Sequence, residues 1–242
     1  MSTSISELSA QQALRPQRTP LQTFLGQLRK SPITIVGIVI VVVWVLLALF
    51  APLLAPKDPL EQAVVDRLQA PNSTYLMGSD ELGRDVFSRV LYGGRITMPA
   101  AFVVVLIVSI IGTVIGALAG YLGGWWDEVM MRLTELFMAF PTIILAMAVT
   151  AALGPSIWNA VLALILVRWP AYARLTRGLI LEAKNLDYVE SSRSLGARDW
   201  YILIRVLLPN TVAPAIVFAS LDIGNAILLF AGLSFLGLGP EP

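Results

Sequence analysis

The chain has 242 residues, 57% of them hydrophobic and 14% charged, where a soluble domain carries about a quarter charged. The absence of His and Cys removes the usual ligands of zinc, copper and haem, so no metal is expected on this chain. A net charge of +1 argues against a nucleic-acid binder.

Residues 1–32 are polar and carry Arg15, Arg18, Arg29 and Lys30; they read as a cytosolic tail with a short amphipathic stretch at 21–28. Residues 33–55 contain no charge. At ~1.5 Å per residue this run crosses a hydrocarbon core of about 30 Å, and it is too long and too far from the N-terminus for a signal peptide. Residues 56–96 form a polar connection with five basic and six acidic residues. A second span is expected at 97–122, a third at 133–153 and a fourth at 156–174, the last two separated by Gly154-Pro155-Ser156. A fifth is expected at 211–235 and is interrupted only by Asp222. Bare backbone is not tolerated in lipid, so each run is most simply a helix, and the fold class is all-α integral membrane.

Gly112, Gly116 and Gly120 stand four apart in the second span, a spacing that lets another helix approach closely. Arg168 is expected to reach toward the cytosol, with Trp169 and Tyr172 as interface anchors. Arg132 and Glu135 are spaced to pair. Asp222 would cost ~2.5–3.5 kcal/mol at mid-membrane if ionised toward lipid. It is therefore expected to face the bundle, as a substrate contact on the translocation path or as half of a bracing pair. Lys and Arg concentrate in the tail and between spans four and five, which places both on the cytosolic side, with the N-terminus inside and 56–96 outside.

The segment 175–209 is long for a helix connection. Two short helices fit, at 186–195 and 199–207, with Gly196 as a left-handed stop between them. Asp199 is expected to cap the second helix and Pro209 to end it. Within the segment, Glu190-Ser191-Ser192, Gly196-Ala197 and Val206-x-Leu208-Pro209 resemble the cytosolic loop motif of importer-type ATP-binding-cassette permeases, with Ser for both Ala and Val for Ile. That resemblance implies that the loop is a coupling helix seated in a groove of an ATPase subunit, with Glu190 paired to a basic residue there.

A second stretch, Gly78-Ser79-Asp80-Glu81-Leu82-Gly83-Arg84-Asp85-Val86-Phe87-Ser88-Arg89, resembles the external signature of the C-type subunits of dipeptide, oligopeptide and nickel permeases. Read physically, Asp80, Arg84, Asp85 and Arg89 are spaced for ion pairs on a short helix that braces the outer face. The acidic spacing of a calcium loop is absent. The ending 233–240 is similar to the same branch. The resemblance implies a type I importer fold in a bacterial or archaeal cell membrane and five spans of six, the closing helix being missing. It implies as partners a B-type permease, two ATPase subunits, an extracytoplasmic substrate-binding protein and membrane lipid. Peptides are the expected substrate class, with nickel or another small solute as the alternative.

No phosphate-binding Gly-x-x-x-x-Gly-Lys-Ser/Thr loop is present, so ATP and magnesium are expected on the partner ATPases and no cofactor on this chain. No Ser–His or Cys–His pair suggests an enzyme. A secondary transporter would need coupling carboxylates within the spans, and Asp222 alone is thin support.

Overall fold

A computed structural model describes residues 31–238. Residues 1–30, with the stretch at 21–28, and Gly239-Pro240 lie outside the described residues. The chain divides into a unit ending at Leu54 and a second running from Ala55 onward. The first contains α1 (Pro32–Leu49) and the short α2 (Ala51–Leu54). Pro32 is well placed at the start of α1, where its missing N–H removes no helical hydrogen bond. Most of the Val, Ile and Leu side chains of α1 are exposed, which suits a helix solvated by lipid.

The second unit begins with an irregular segment and continues with α3 (Val86–Leu122), α4 (Gly124–Met138), α5 (Thr142–Leu153), α6 (Ile157–Ala183) and α7 (Asp187–Ser194). The last element, α8 (Asp199–Phe235), joins an α-turn at Asp199–Tyr201, a π-helical stretch at Ile202–Leu207 and an α-helix at Leu208–Phe235. No strand occurs among the described residues. Helices α1, α3 and α8 are each long and apolar enough to cross a membrane, and α4 with α5 adds a fourth candidate if the bent pair is one span. The remaining apolar run lies in α6, which also carries Arg168, Arg174, Arg177 and Glu182.

Several boundaries depart from those expected. Helix α3 starts at Val86, not near 97, because the Asp85 carboxylate accepts from the Ser88 backbone N–H at 2.9 Å and caps it. The expected third span is two helices at 85° to each other. Pro141 has no N–H to continue α4 and disfavours helical geometry at Phe140. Helix α6 runs to Ala183, nine residues beyond 174.

Pro209 does not stop a helix. The chain remains helical through it, and the turn ahead of it widens to π geometry. A wider turn gives the proline ring room where it would otherwise meet the carbonyl of the preceding turn. Side chains satisfy nearby carbonyls: Asn210 donates to Val206 at 2.7 Å and Thr211 to Leu208 at 2.9 Å.

The core is the seam between α3 and α6, joined by α8 and α5. Ala101, Val104, Val105 and Val108 of α3 are buried with Ala160, Val161, Leu164 and Ala173 of α6 and Ala226, Phe230 and Leu233 of α8. Lipid tails are as apolar as these side chains, so close packing, and not escape from water, must hold them together. The glycine row is where packing is closest. A Cβ at Gly112 would lie 2.4 Å from Tyr172 Cβ, one at Gly116 2.2 Å from the Ala173 carbonyl oxygen, and one at Gly120 3.0 Å from that of Arg177.

Candidate functional site

Helix α7 is only eight residues long, and its placement depends on one face. Val189 is fully buried and packs in a cluster with Ala117 of α3, Ile180 and Ala183 of α6, and Ile202, Leu203 and Leu207 of the π stretch. The opposite face is open: Glu190, Ser191 and Ser194 are exposed, and with Asp187 and Leu195 they line a shallow concavity. Leu195, Trp200 and Tyr201 add exposed apolar surface beside it. Ser192 is half-buried and donates to the Tyr188 carbonyl at 2.8 Å. Gly196 has φ +81, in the left-handed region where Gly is free of side-chain strain. Ala197 packs partly against the Val189 cluster, as does Leu208, while Pro209 is exposed at the far end.

Asp199 does not cap α8; Arg198 occupies that position and makes no side-chain cap. The Asp199 carboxylate instead accepts from the Tyr121 hydroxyl of α3 at 2.6 Å. One residue earlier on α3, the Gly120 carbonyl accepts from Lys184 Nζ at 3.0 Å. At the same end of the bundle, Arg177 of α6 grips Asp127 of α4 with both Nε and Nη2, the latter at 2.6 Å. These ties join residues 50 to 78 positions apart, and no local pattern signals them. Val189 had a faint signal as the apolar residue of an otherwise polar helix.

In the middle of the bundle the expectation for Arg168 is overturned. Its guanidinium is buried against Asp222 of α8 in an ion pair, and the Tyr172 hydroxyl donates to the other Asp222 oxygen at 3.1 Å. Trp169 and Tyr172 are core residues, not interface anchors: Trp169 meets Phe137 edge to face at 5.6 Å and Tyr172 meets Phe218 at 4.9 Å. The reason is energetic, since a pair facing the bundle compensates both charges. Asp222 is 1% exposed and ion-paired inside the bundle, the arrangement expected of a bracing partner. Arg132 and Glu135 stand 3.2 Å apart on the exposed face of α4.

The segment before α3 is organised by Asp80, though not on a helix. The carboxylate accepts from the Leu82 and Arg84 backbone N–H groups at 2.9 Å each, from Arg84 Nε at 2.8 Å, and from Arg89. Asp85 takes no ion pair among the described residues; it caps α3 and also accepts from Ser88 Oγ at 2.6 Å. Gly78 and Gly83 have positive φ, and a Cβ at Gly83 would lie 1.8 Å from the Ala63 carbonyl oxygen. The signature is thus a folded turn against residues 63–71. Burial alone would raise the Asp80 carboxyl; the Arg84 N–H and guanidinium and the Leu82 N–H outweigh it and hold the group down at about 2.

Since the free-chain value is about 3.9, the stabilisation is complete above about pH 4 and is lost as pH falls through about 2. In a pepsin titration, the wild-type segment is expected to resist cleavage until the lower end of that window. Asp80→Asn should be cut throughout it, and identical profiles would show that Asp80 does not organise the turn.

Comparison with known proteins places these features in context. The profile for the binding-protein-dependent transport system inner membrane component matches residues 112–241, and that for the N-terminal TM domain of oligopeptide transport permease C matches residues 19–71. A probable D,D-dipeptide transport system permease protein of Escherichia coli K12 is 42% identical over 95% of this chain and 78% of its own. A glutathione transport system permease protein of Pectobacterium atrosepticum is 43% identical over 93% of this chain and 75% of its own. A dipeptide transport system permease protein of Haemophilus influenzae is 40% identical over 93% and 78%.

Proposed function

The chain belongs to the family of binding-protein-dependent transport system inner membrane components, and from that premise we propose that it is one of two permease subunits of an ATP-driven peptide importer. Peptides are the substrate class because relatives named for D,D-dipeptide, glutathione and dipeptide transport resemble it along nearly its whole length. It sits in a bacterial inner membrane as a multi-pass protein and hydrolyses no ATP itself. A B-type permease completes the path, two ATPase subunits bind nucleotide and magnesium, and an extracytoplasmic binding protein delivers the peptide.

The observation that carries this reading is α7. It exposes Glu190 and Ser191 to a partner while Val189 anchors it in the bundle. A helix held this way can receive a push from an ATPase groove and pass it to α3, α6 and α8. Alternating access is then a shift between two packed states, driven by the ATPases closing on nucleotide.

The test is co-purification and reconstitution. The chain is expected to bring down a second permease and two ATPase subunits, and the complex with its binding protein should take up peptide only with ATP. Glu190→Lys should abolish uptake while the complex still hydrolyses ATP, because repulsion replaces attraction in the groove. Peptide uptake by the chain alone would overturn the proposal in favour of a secondary transporter.

A further inference from the structure

Resting on the reading of α7 as the ATPase-docking helix, we propose that Tyr121 is a positioning residue that conveys the movement of α7 to α3 through its hydrogen bond to Asp199. The apolar anchor at Val189 holds α7 from beneath, but a single buried side chain does not direct motion along the helix. Direction comes from the two ends of the segment. At its entrance Lys184, which closes α6, donates to the Gly120 carbonyl. At its exit Asp199, which opens α8, accepts from Tyr121. Both ties converge on consecutive residues at the end of α3, so α3 is fastened on either side of α7. Gly123, with φ +66, separates the end of α3 at Leu122 from α4, which begins at Gly124 with φ +55.

The π stretch gives the exit tie its purpose. Ile202–Leu207 lies between the Asp199 turn and the long helix Leu208–Phe235. A widened turn is a weak point in a helix and is often found at functional sites. It lets Asp199 move without dragging the membrane part of α8 by the same amount. Displacement of α7 therefore reaches α3 through Tyr121 before it reaches the membrane part of α8, Leu208–Phe235. The Tyr121–Asp199 bond is short, at 2.6 Å between a hydroxyl and a carboxylate oxygen, and it lies at an exposed site. Helix α3 then carries the movement along the glycine seam into α6.

The experiment measures peptide molecules imported per ATP hydrolysed, using the complete transporter with its binding protein in proteoliposomes. Tyr121→Phe keeps the ring and removes only the hydroxyl. It is expected to assemble with the ATPases at the wild-type level and to lower the coupling ratio about threefold to tenfold, the range for losing one hydrogen bond from the coupled state. Asp199→Ala should do the same, Asp199→Asn should retain coupling because it keeps an acceptor oxygen, and the double variant Tyr121→Phe/Asp199→Ala should be no worse than either single one. A wild-type coupling ratio in Tyr121→Phe, or additive losses in the double variant, would overturn the role of Tyr121 alone. Failure of the wild-type assembly to import peptide with ATP would overturn the importer reading and this role with it.

Discussion

Asp222→Leu is expected to cost about 3–5 kcal/mol of stability, because it leaves the Arg168 charge buried without its partner. Arg168 has 14% of its side chain exposed, and its Nε finds no acceptor among the described residues, so the guanidinium has nothing nearby to fall back on. Tyr172 loses an acceptor in the same step. The variant should unfold at a lower temperature in detergent and accumulate poorly in cells. The double variant Arg168→Leu/Asp222→Leu is expected to recover much of the loss, since it removes both charges and leaves only the Tyr172 hydroxyl unsatisfied. Thermal unfolding of the four proteins forms a double-mutant cycle that measures the pair. An Asp222→Leu protein as stable as wild type would show that the charge is not buried in the membrane.

This pair also marks the boundary of what the sequence makes legible. A carboxylate inside an apolar run must face away from lipid, and that requirement alone points Asp222 inward. Its partner is not readable in the same way. Arg168 lies 54 residues away, and a long basic side chain near aromatic residues fits a membrane interface as well as it fits a buried pair. The same division holds at α7. Gly196 and the polar run ahead of it define a short helix ending in a left-handed turn, and these are local rules. That Asp199 would turn toward Tyr121, 78 residues back, follows only from how α3 and α8 pack. Pro209 shows a local rule giving way: a proline ends most helices, yet here a π turn absorbs it and the rod continues. In the Asp80 segment the charge spacing identifies the interacting residues, but Gly78 and Gly83 select a turn over the helix that the spacing suggests.

The glycine row is the feature for which the sequence yields most, and its energetic consequence is large. Gly116 faces the backbone of Ala173 so closely that a Cβ would sit 2.2 Å from the carbonyl oxygen and 3.0 Å from the carbonyl carbon. Backbone atoms cannot rotate out of the way as a side-chain tip can, so any substitution must push α3 and α6 apart. Separation would thin the contacts of Val104, Val105 and Val108 across the same seam, where close packing is the main attraction. Gly116→Ala is expected to cost about 1–3 kcal/mol, the usual range for overpacking, and Gly116→Leu to prevent stable folding. Gly178 of α6 is the matched control: a Cβ there meets nothing within 4 Å, so Gly178→Ala should be neutral or stabilising by up to about 1 kcal/mol through helix propensity. Unfolding temperatures of the purified chain in detergent compare the two alanine variants directly. If Gly116→Ala matched Gly178→Ala, the α3–α6 seam would have to be looser than the structure has it, and Gly112 and Gly120 would then be as dispensable as Gly178.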